Sequence, residues 1–138
     1  MKNSTTKFLN LLSDNNIHYS IIEENTYSDK PDIISVTNRA NNMLNMELYF
    51  FIANTEAAIF LNIFQCPYEK KQILSSELNS INADYRYVKF YISSDNDIRA
   101  TMDVLFTDFS VADILLTASI KFIDVVDECY PRIMKCVW

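Results

Sequence analysis

The sequence predicts a two-layer α+β domain in which helices cover one face of a largely antiparallel sheet of about five to six strands. Three observations carry that prediction. Runs of β-branched and aromatic residues are joined by short polar turns, as in hairpins, and not by the helical crossovers that parallel strands need. Within those runs apolar side chains alternate, which separates one sheet face from the other. Near the C-terminus an apolar stripe repeats at helical spacing over five turns. The expected order is α-(β)-β-β-β-α-β-β-α, with the placement of the first strand left open, and residues 1–138 are expected to form one domain.

Ser4, followed by Thr5 to Ser13, puts Phe8, Leu11 and Leu12 on one helical face, and Asp14, Asn15 and Asn16 stop that helix. Ile17 to Glu23 reads as extended, and the polar stretch Glu24 to Asp32, containing Pro31, reads as a loop. Asp32 to Arg39, Asn45 to Ala53 and Ala57 to Gln65 then form a three-stranded meander, turning at Asn41 and Asn42 and again at Asn54 to Glu56. Pro67 suits the first turn of a helix from Tyr68 to about Asn82, with Ile73, Leu74, Leu78 and Ile81 toward the core. Tyr87 to Ser93 and Ile98 to Phe106 make a second hairpin around Ser94 to Asp97. Ser110 with Asp113 reads as a capping box for the long helix, whose stripe is Val111, Ile114, Leu115, Ala118, Phe122, Val125, Val126 and Cys129. Pro131 should kink or restart that helix, and Trp138 is expected to pack back on its own domain.

Composition narrows the function. A hydrophobic content of 49% with 22% charged residues describes a chain that can bury an ordinary core. No apolar run approaches the ~18 residues of a membrane-spanning helix, and Met1 to Asn16 lacks the pattern of a signal peptide, so a cytoplasmic protein is expected. Cys66, Cys129 and Cys136, scattered and odd in number, suit a reducing compartment. A net charge of −6 argues against nucleic-acid and membrane partners; the densest basic clusters, Glu69 to Lys71 and Arg86 to Lys89, are no more than a solvated face carries. There is no glycine, where average usage of roughly 7% would give about ten. P-loops, dinucleotide-binding turns and nucleophile elbows in their usual form are thereby excluded, because each needs a backbone without Cβ. Asn41, Asn42, Asn54 and Asn96 should take the turns where glycine is usual.

No catalytic residue emerges. His18 is the single histidine, and no motif joins it to a nucleophile. Asp124, Asp127 and Glu128 share one helix face and could in principle hold a divalent cation, but a solvated face explains them, and Asp95, Asn96 and Asp97 are turn residues. Neither a metal nor a cofactor is expected. The sheet faces are more informative. Met46, Leu48, Phe50 and Ile52 group with Ile59, Leu61 and Ile63, with Val88, Phe90 and Ile92, and with Ile98, Ala100, Met102 and Val104 as an aliphatic face under the helices. The opposite face carries Tyr49, Phe51, Phe60, Phe64, Tyr87 and Tyr91 among Glu47, Asn62, Lys89, Arg99 and Asp103. Aromatics interspersed with charges compose interface cores and rims, so this face is the candidate site of dimerisation or partner docking, unless the first strand, the Glu24 to Asp32 loop or the C-terminal tail folds across it.

Three segments in this order resemble the YbjN family of bacterial proteins, labelled sensory transduction regulators: Asn45 to Phe64, then Leu78 to Asn82 followed by Tyr85 to Phe90, then Val126 to Met134. The resemblance spans most of the chain from about Thr6. It implies a small non-catalytic domain with a fold like that of type III secretion chaperones, and hence a homodimer that binds a protein or peptide partner. The leading expectation is a chaperone-like or regulatory binding module. The alternatives are a small-ligand sensing domain, which an enclosed apolar cavity would favour, and an enzyme using a carboxylate or His18.

Overall fold

Alternation along the strands becomes a sheet with one sealed face. The computed structural model describes residues 1–138. Its elements are α1 (Asn3–Asp14), β1 (Ser20–Glu23), β2 (Asp32–Asn38), β3 (Met46–Ile52), β4 (Glu56–Gln65), a 3-10 turn (Tyr68–Lys70), α2 (Lys71–Asp84), β5 (Lys89–Ile92), β6 (Asp97–Leu105) and α3 (Val111–Val137). The six strands lie in the order β1-β2-β3-β4-β6-β5, and every neighbouring pair is antiparallel. This is the expected α+β architecture, and Ile17 to Glu23 resolves into a short edge strand beside β2.

The aliphatic face seals as its pattern predicts. Met46, Leu48, Phe50, Ile52, Ile59, Leu61, Phe90, Ile98 and Ala100 are all buried, joined by Phe8, Leu9 and Leu12 of α1, by Leu74, Leu78 and Ile81 of α2, and by the inner stripe of α3. The Phe8 and Phe50 rings meet at 5.1 Å between centroids, which locks α1 onto β3. Ile73 departs from expectation: it is 54% exposed, because Leu74, Leu78 and Ile81 already fill the inward positions of α2 and a residue one step before Leu74 points about 100° away. On α3, Ile114 is likewise exposed, while Ser119 turns inward and donates its hydroxyl to the Leu116 carbonyl.

Turn chemistry without glycine is solved by two asparagines. Asn16, at φ 57°, ends α1 in a Schellman arrangement: the Ile17 N–H donates to the Leu12 carbonyl at 2.8 Å and the Asn16 N–H to that of Ser13 at 3.0 Å. Asn96, at φ 65°, makes the β5–β6 turn. Asn41, Asn42 and Asn54 do not take the left-handed conformation expected of them. The capping box is also displaced: the Ser110 side chain gives no cap bond to the helix, and instead accepts from the Thr107 N–H at 3.3 Å, with its hydroxyl 2.8 Å from Thr107 Oγ1. The turn into α3 therefore begins at Thr107, three residues before the expected cap.

Pro131 neither ends nor restarts α3, which continues to Val137. A proline at this position cannot donate to the Asp127 carbonyl one turn earlier. The Asn42 side-chain amide supplies that bond at 3.0 Å, while the Asp127 carboxylate accepts the backbone N–H groups of Asn42 and Met43 at 2.7 and 2.8 Å. One acidic residue thus pins the β2–β3 loop to α3, and Asn42, which lies in that turn without taking the left-handed conformation, also serves as a backbone cap. Because the helix continues, Val137 takes the inward position and Trp138 projects beyond it, 84% exposed, contrary to the expectation that it packs on the core.

A second clamp closes the other end. Asp32, 1% exposed, sits in the inward row of β2 with Ile34 and Val36. Its carboxylate accepts the Lys2 N–H at 2.8 Å, the Thr5 hydroxyl at 2.7 Å and the Asn25 N–H at 2.7 Å. Burial works to raise its pKa, but these bonds and the Lys2 charge outweigh it and hold the carboxyl below the ordinary value.

Candidate functional site

Where the helices seal one face, no helix covers the other. Tyr49 on β3 pairs with Phe60 on β4, and Phe51 pairs with Ile33 on one side and Ala58 on the other. Phe51 and Phe60 are diagonal neighbours, and their rings meet edge to face at 5.0 Å between centroids. Together with Asn62 and Arg99 these three aromatics line an open depression of about 460 Å³. Thr101 and Arg99 of β6 continue the surface next to Phe60 and Asn62. The Arg99 guanidinium donates to Asn62 Oδ1 at 2.8 Å and stands 5.9 Å from the Tyr91 ring. A hydrogen bond with the Glu47 carboxylate, helped by burial, holds the Tyr49 phenol above its ordinary pKa.

Three of the six expected aromatics, Tyr49, Phe51 and Phe60, thus converge. Tyr91 stands apart on edge strand β5, connected through Arg99. Phe64 follows a bulge between Asn62 and Phe64 that shifts the register against β6, and it is exposed near the end of β4. Tyr87 precedes β5, where the chain has left the ladder, and lines a different groove against Ile114, Ala118 and Lys121 of α3. The candidate covers reach only the rim. Asp29 and Pro31 of the β1–β2 loop line a second depression, which shares Phe51 with the first and includes Ala58 and Asp103, β1 extends the sheet edge, and Trp138 lies beyond the end of α3.

The catalytic alternatives do not assemble. His18 is exposed in a shallow, polar depression with Asn16, Tyr19, Ser20, Ser35, Thr37 and Asn38, where no carboxylate or thiol faces it. Burial raises the Cys66 and Cys129 thiols, which disfavours the reactive thiolate, and it pushes the neighbouring Tyr85 phenol up to about 12. Of the acids on α3, Asp127 is committed to the loop clamp. No three His, Cys, Asp or Glu side chains are placed to hold a metal ion, and no helix is long and apolar enough to cross a membrane.

No curated protein sequence matches the chain. Among solved structures, E. coli YbjN superposes with a TM-score of 0.60 at 13% identity, covering 93% of this chain and 92% of its own. A chain of the heterodimeric ExoU–SpcU complex, from the type III secretion system of Pseudomonas aeruginosa, gives 0.54 at 12%, covering 93% and 95%. The Yersinia pestis type III secretion chaperone SycH, in complex with a fragment of YscM2, gives 0.45 at 10%, covering 88% and 98%. At such identities the first two similarities establish the fold. The family model for YbjN, described as "Putative bacterial sensory transduction regulator", matches residues 32–133, from the Asp32 clamp through all of β2 to β6 and most of α3. With well over half of its length matched, the chain belongs to the YbjN family.

Proposed function

We propose that this protein is a cytoplasmic, non-catalytic binding module of one domain, chaperone-like or regulatory in role, whose outer sheet face forms a homodimer or docks a protein partner. The observation that carries this reading is the Phe51–Phe60 pair, an edge-to-face aromatic contact on a sheet face that no helix covers. Aromatic side chains bring large contact area with little rotamer entropy to lose, and Glu47, Asn62 and Arg99 around them supply a solvated rim that keeps the free protein soluble. A net charge of −6 serves the same end. A fold shared with a chain of a heterodimeric secretion-system complex is in keeping with a protein partner.

Solution mass by light scattering on the wild type and on the double variant Phe51→Glu, Phe60→Glu tests the reading, with folding checked by circular dichroism. A wild-type dimer that becomes a folded monomer supports it. A monomeric wild type, or a dimer indifferent to both charges, rejects it.

A second reading rests on the cleft of about 310 Å³ between α1 and α3, lined by Leu12, Val36, Leu48, Phe50, Leu116 and Ile123 among others. Its size and apolar lining suit a small apolar ligand. Titration with Nile red checks it: a saturable signal that Leu116→Trp abolishes favours the ligand, and an absent or unchanged signal rejects it.

A further inference from the structure

A sheet has two edges, and each exposes backbone donors and acceptors that invite another strand. In this molecule both outermost edges are interrupted. On β5, Phe90 and Ile92 turn their backbone groups outward, and the Asn82 side chain from α2 takes both groups of Phe90: Nδ2 donates to the Phe90 carbonyl at 2.8 Å, and Oδ1 accepts the Phe90 N–H at 2.8 Å. On β1, a register shift between Ile21 and Glu23 breaks the regular row.

A third edge stays open. β5 pairs with β6 only from Ile98 to Thr101, whereas β4 follows β6 all the way to Leu105. The Ser93 N–H donates to the Asp97 carbonyl, so odd-numbered residues of β6 turn their backbone groups toward β5, and the Phe106 N–H donates to Thr55 on the β4 side. Past Thr101, the N–H and C=O groups of Asp103 and Leu105 therefore point away from β4, where no strand lies. Beside them runs an apolar groove of about 470 Å³, with Met102 and Val104 on one wall, Ile114 and Ala118 of α3 on the other, and Tyr87 at its mouth. Leu105 is 77% exposed.

We propose that this open edge of β6 binds an extended segment of a different protein, alternating apolar and basic residues, as an added strand. Alternation follows from geometry. Side chains on one side of an added strand would enter the groove against Ile114 and Ala118, and those on the other would stand beside Asp103 on the outer face. Charge favours bases there. Asp103 and Asp113 line the groove and engage in no ion pair, against the single cation Lys121. The same charges disfavour a second copy, since two β6 edges meeting about a dyad near residue 104 bring two Asp103 carboxylates together between chains of net charge −6. The proposal rests on the reading of the protein as a binding module, but uses neither Phe51 nor Phe60.

The probe is a fluorescein-labelled hexapeptide of alternating lysine and valine, followed by anisotropy and by amide NMR shifts of the full chain. Saturable binding with shifts at the Asp103 and Leu105 amides is expected. At least tenfold weaker binding is expected for the glutamate–valine counterpart, for the fully N-methylated peptide and for Leu105→Pro, which removes a donor facing the open edge without touching the β4 ladder. The methylated peptide reads strand pairing even where the proline variant fails to fold. No saturable binding, or binding without shifts at Asp103 and Leu105, overturns the proposal. Binding lost on Phe51→Glu but kept on Leu105→Pro overturns it while supporting the outer-face reading. A wild-type dimer that Leu105→Pro dissolves makes the occupant a second copy, and overturns it as well.

Discussion

Phe50 and Phe51 are neighbours on β3, identical in chemistry and opposite in circumstance. Phe50 is buried against Phe8 under α1, whereas Phe51 stands half-buried on the outer face against Phe60. What differs between them is what covers the sheet, and that difference separates residues that hold the fold from residues that remain available to a partner. Phe50→Ala removes a fully enclosed ring and leaves a cavity, so urea unfolding should show a loss of about 3–5 kcal/mol. Phe51→Ala should lose about 1 kcal/mol, chiefly the aromatic pair. Equal losses at the two positions would mean that the outer face is covered in solution.

Polar groups draw the same contrast. Glu47, Lys89 and Asp103 on the outer face are exposed to water, while Asp32 on the inner row is tolerated only because three donors converge on it. Asp32→Asn turns one accepting oxygen into a donor facing other donors, and should destabilise by about 2–3 kcal/mol at neutral pH. The folded-state pKa of Asp32 is lowered, so its contribution is fully present above the unfolded value of 3.8 and is lost as pH falls through the lower folded value. Unfolding curves of wild type and variant should therefore converge below about pH 4. A gap that persists unchanged into acid would show that the ionised carboxylate is not what the clamp uses.

The inner face was legible because strand geometry fixes side-chain alternation at two residues, and tertiary context cannot change it without a bulge. The outer face was legible to the same extent: Tyr49, Phe51 and Phe60 fall together where β3 and β4 pair, while Phe64 and Tyr87, exposed as their alternation predicts, stand apart because a bulge shifts the register before Phe64 and Tyr87 precedes β5. Asp32 carried a usable signal, since its parity with Ile34 and Val36 marks it as inward, but its position next to Pro31 also reads as the end of a polar loop. The open edge of β6 had no local signal, because it depends on how far β5 extends and on an Asn82 side chain that caps Phe90 across the α2–β5 connection.

Pro131 shows most sharply how a local rule is overridden from a distance, and it yields the smallest expected effect. Read alone, a proline at that point breaks a helix; here α3 continues, because Asn42, 85 residues from Asp127 in sequence, donates to the carbonyl that the proline leaves free. If that substitution of one donor for another holds the helix, the two residues are coupled. Asn42→Ala should cost about 1 kcal/mol in the wild type, where it strips the Asp127 carbonyl of its donor. With Pro131→Ala in place, the new backbone N–H reaches the same carbonyl, and Asn42→Ala should cost less by about 0.5 kcal/mol or more. A double-mutant cycle by urea unfolding measures the difference. Additivity within about 0.3 kcal/mol would show that the helix tolerates its proline without Asn42, and that the loop is held by the Asp127 carboxylate alone.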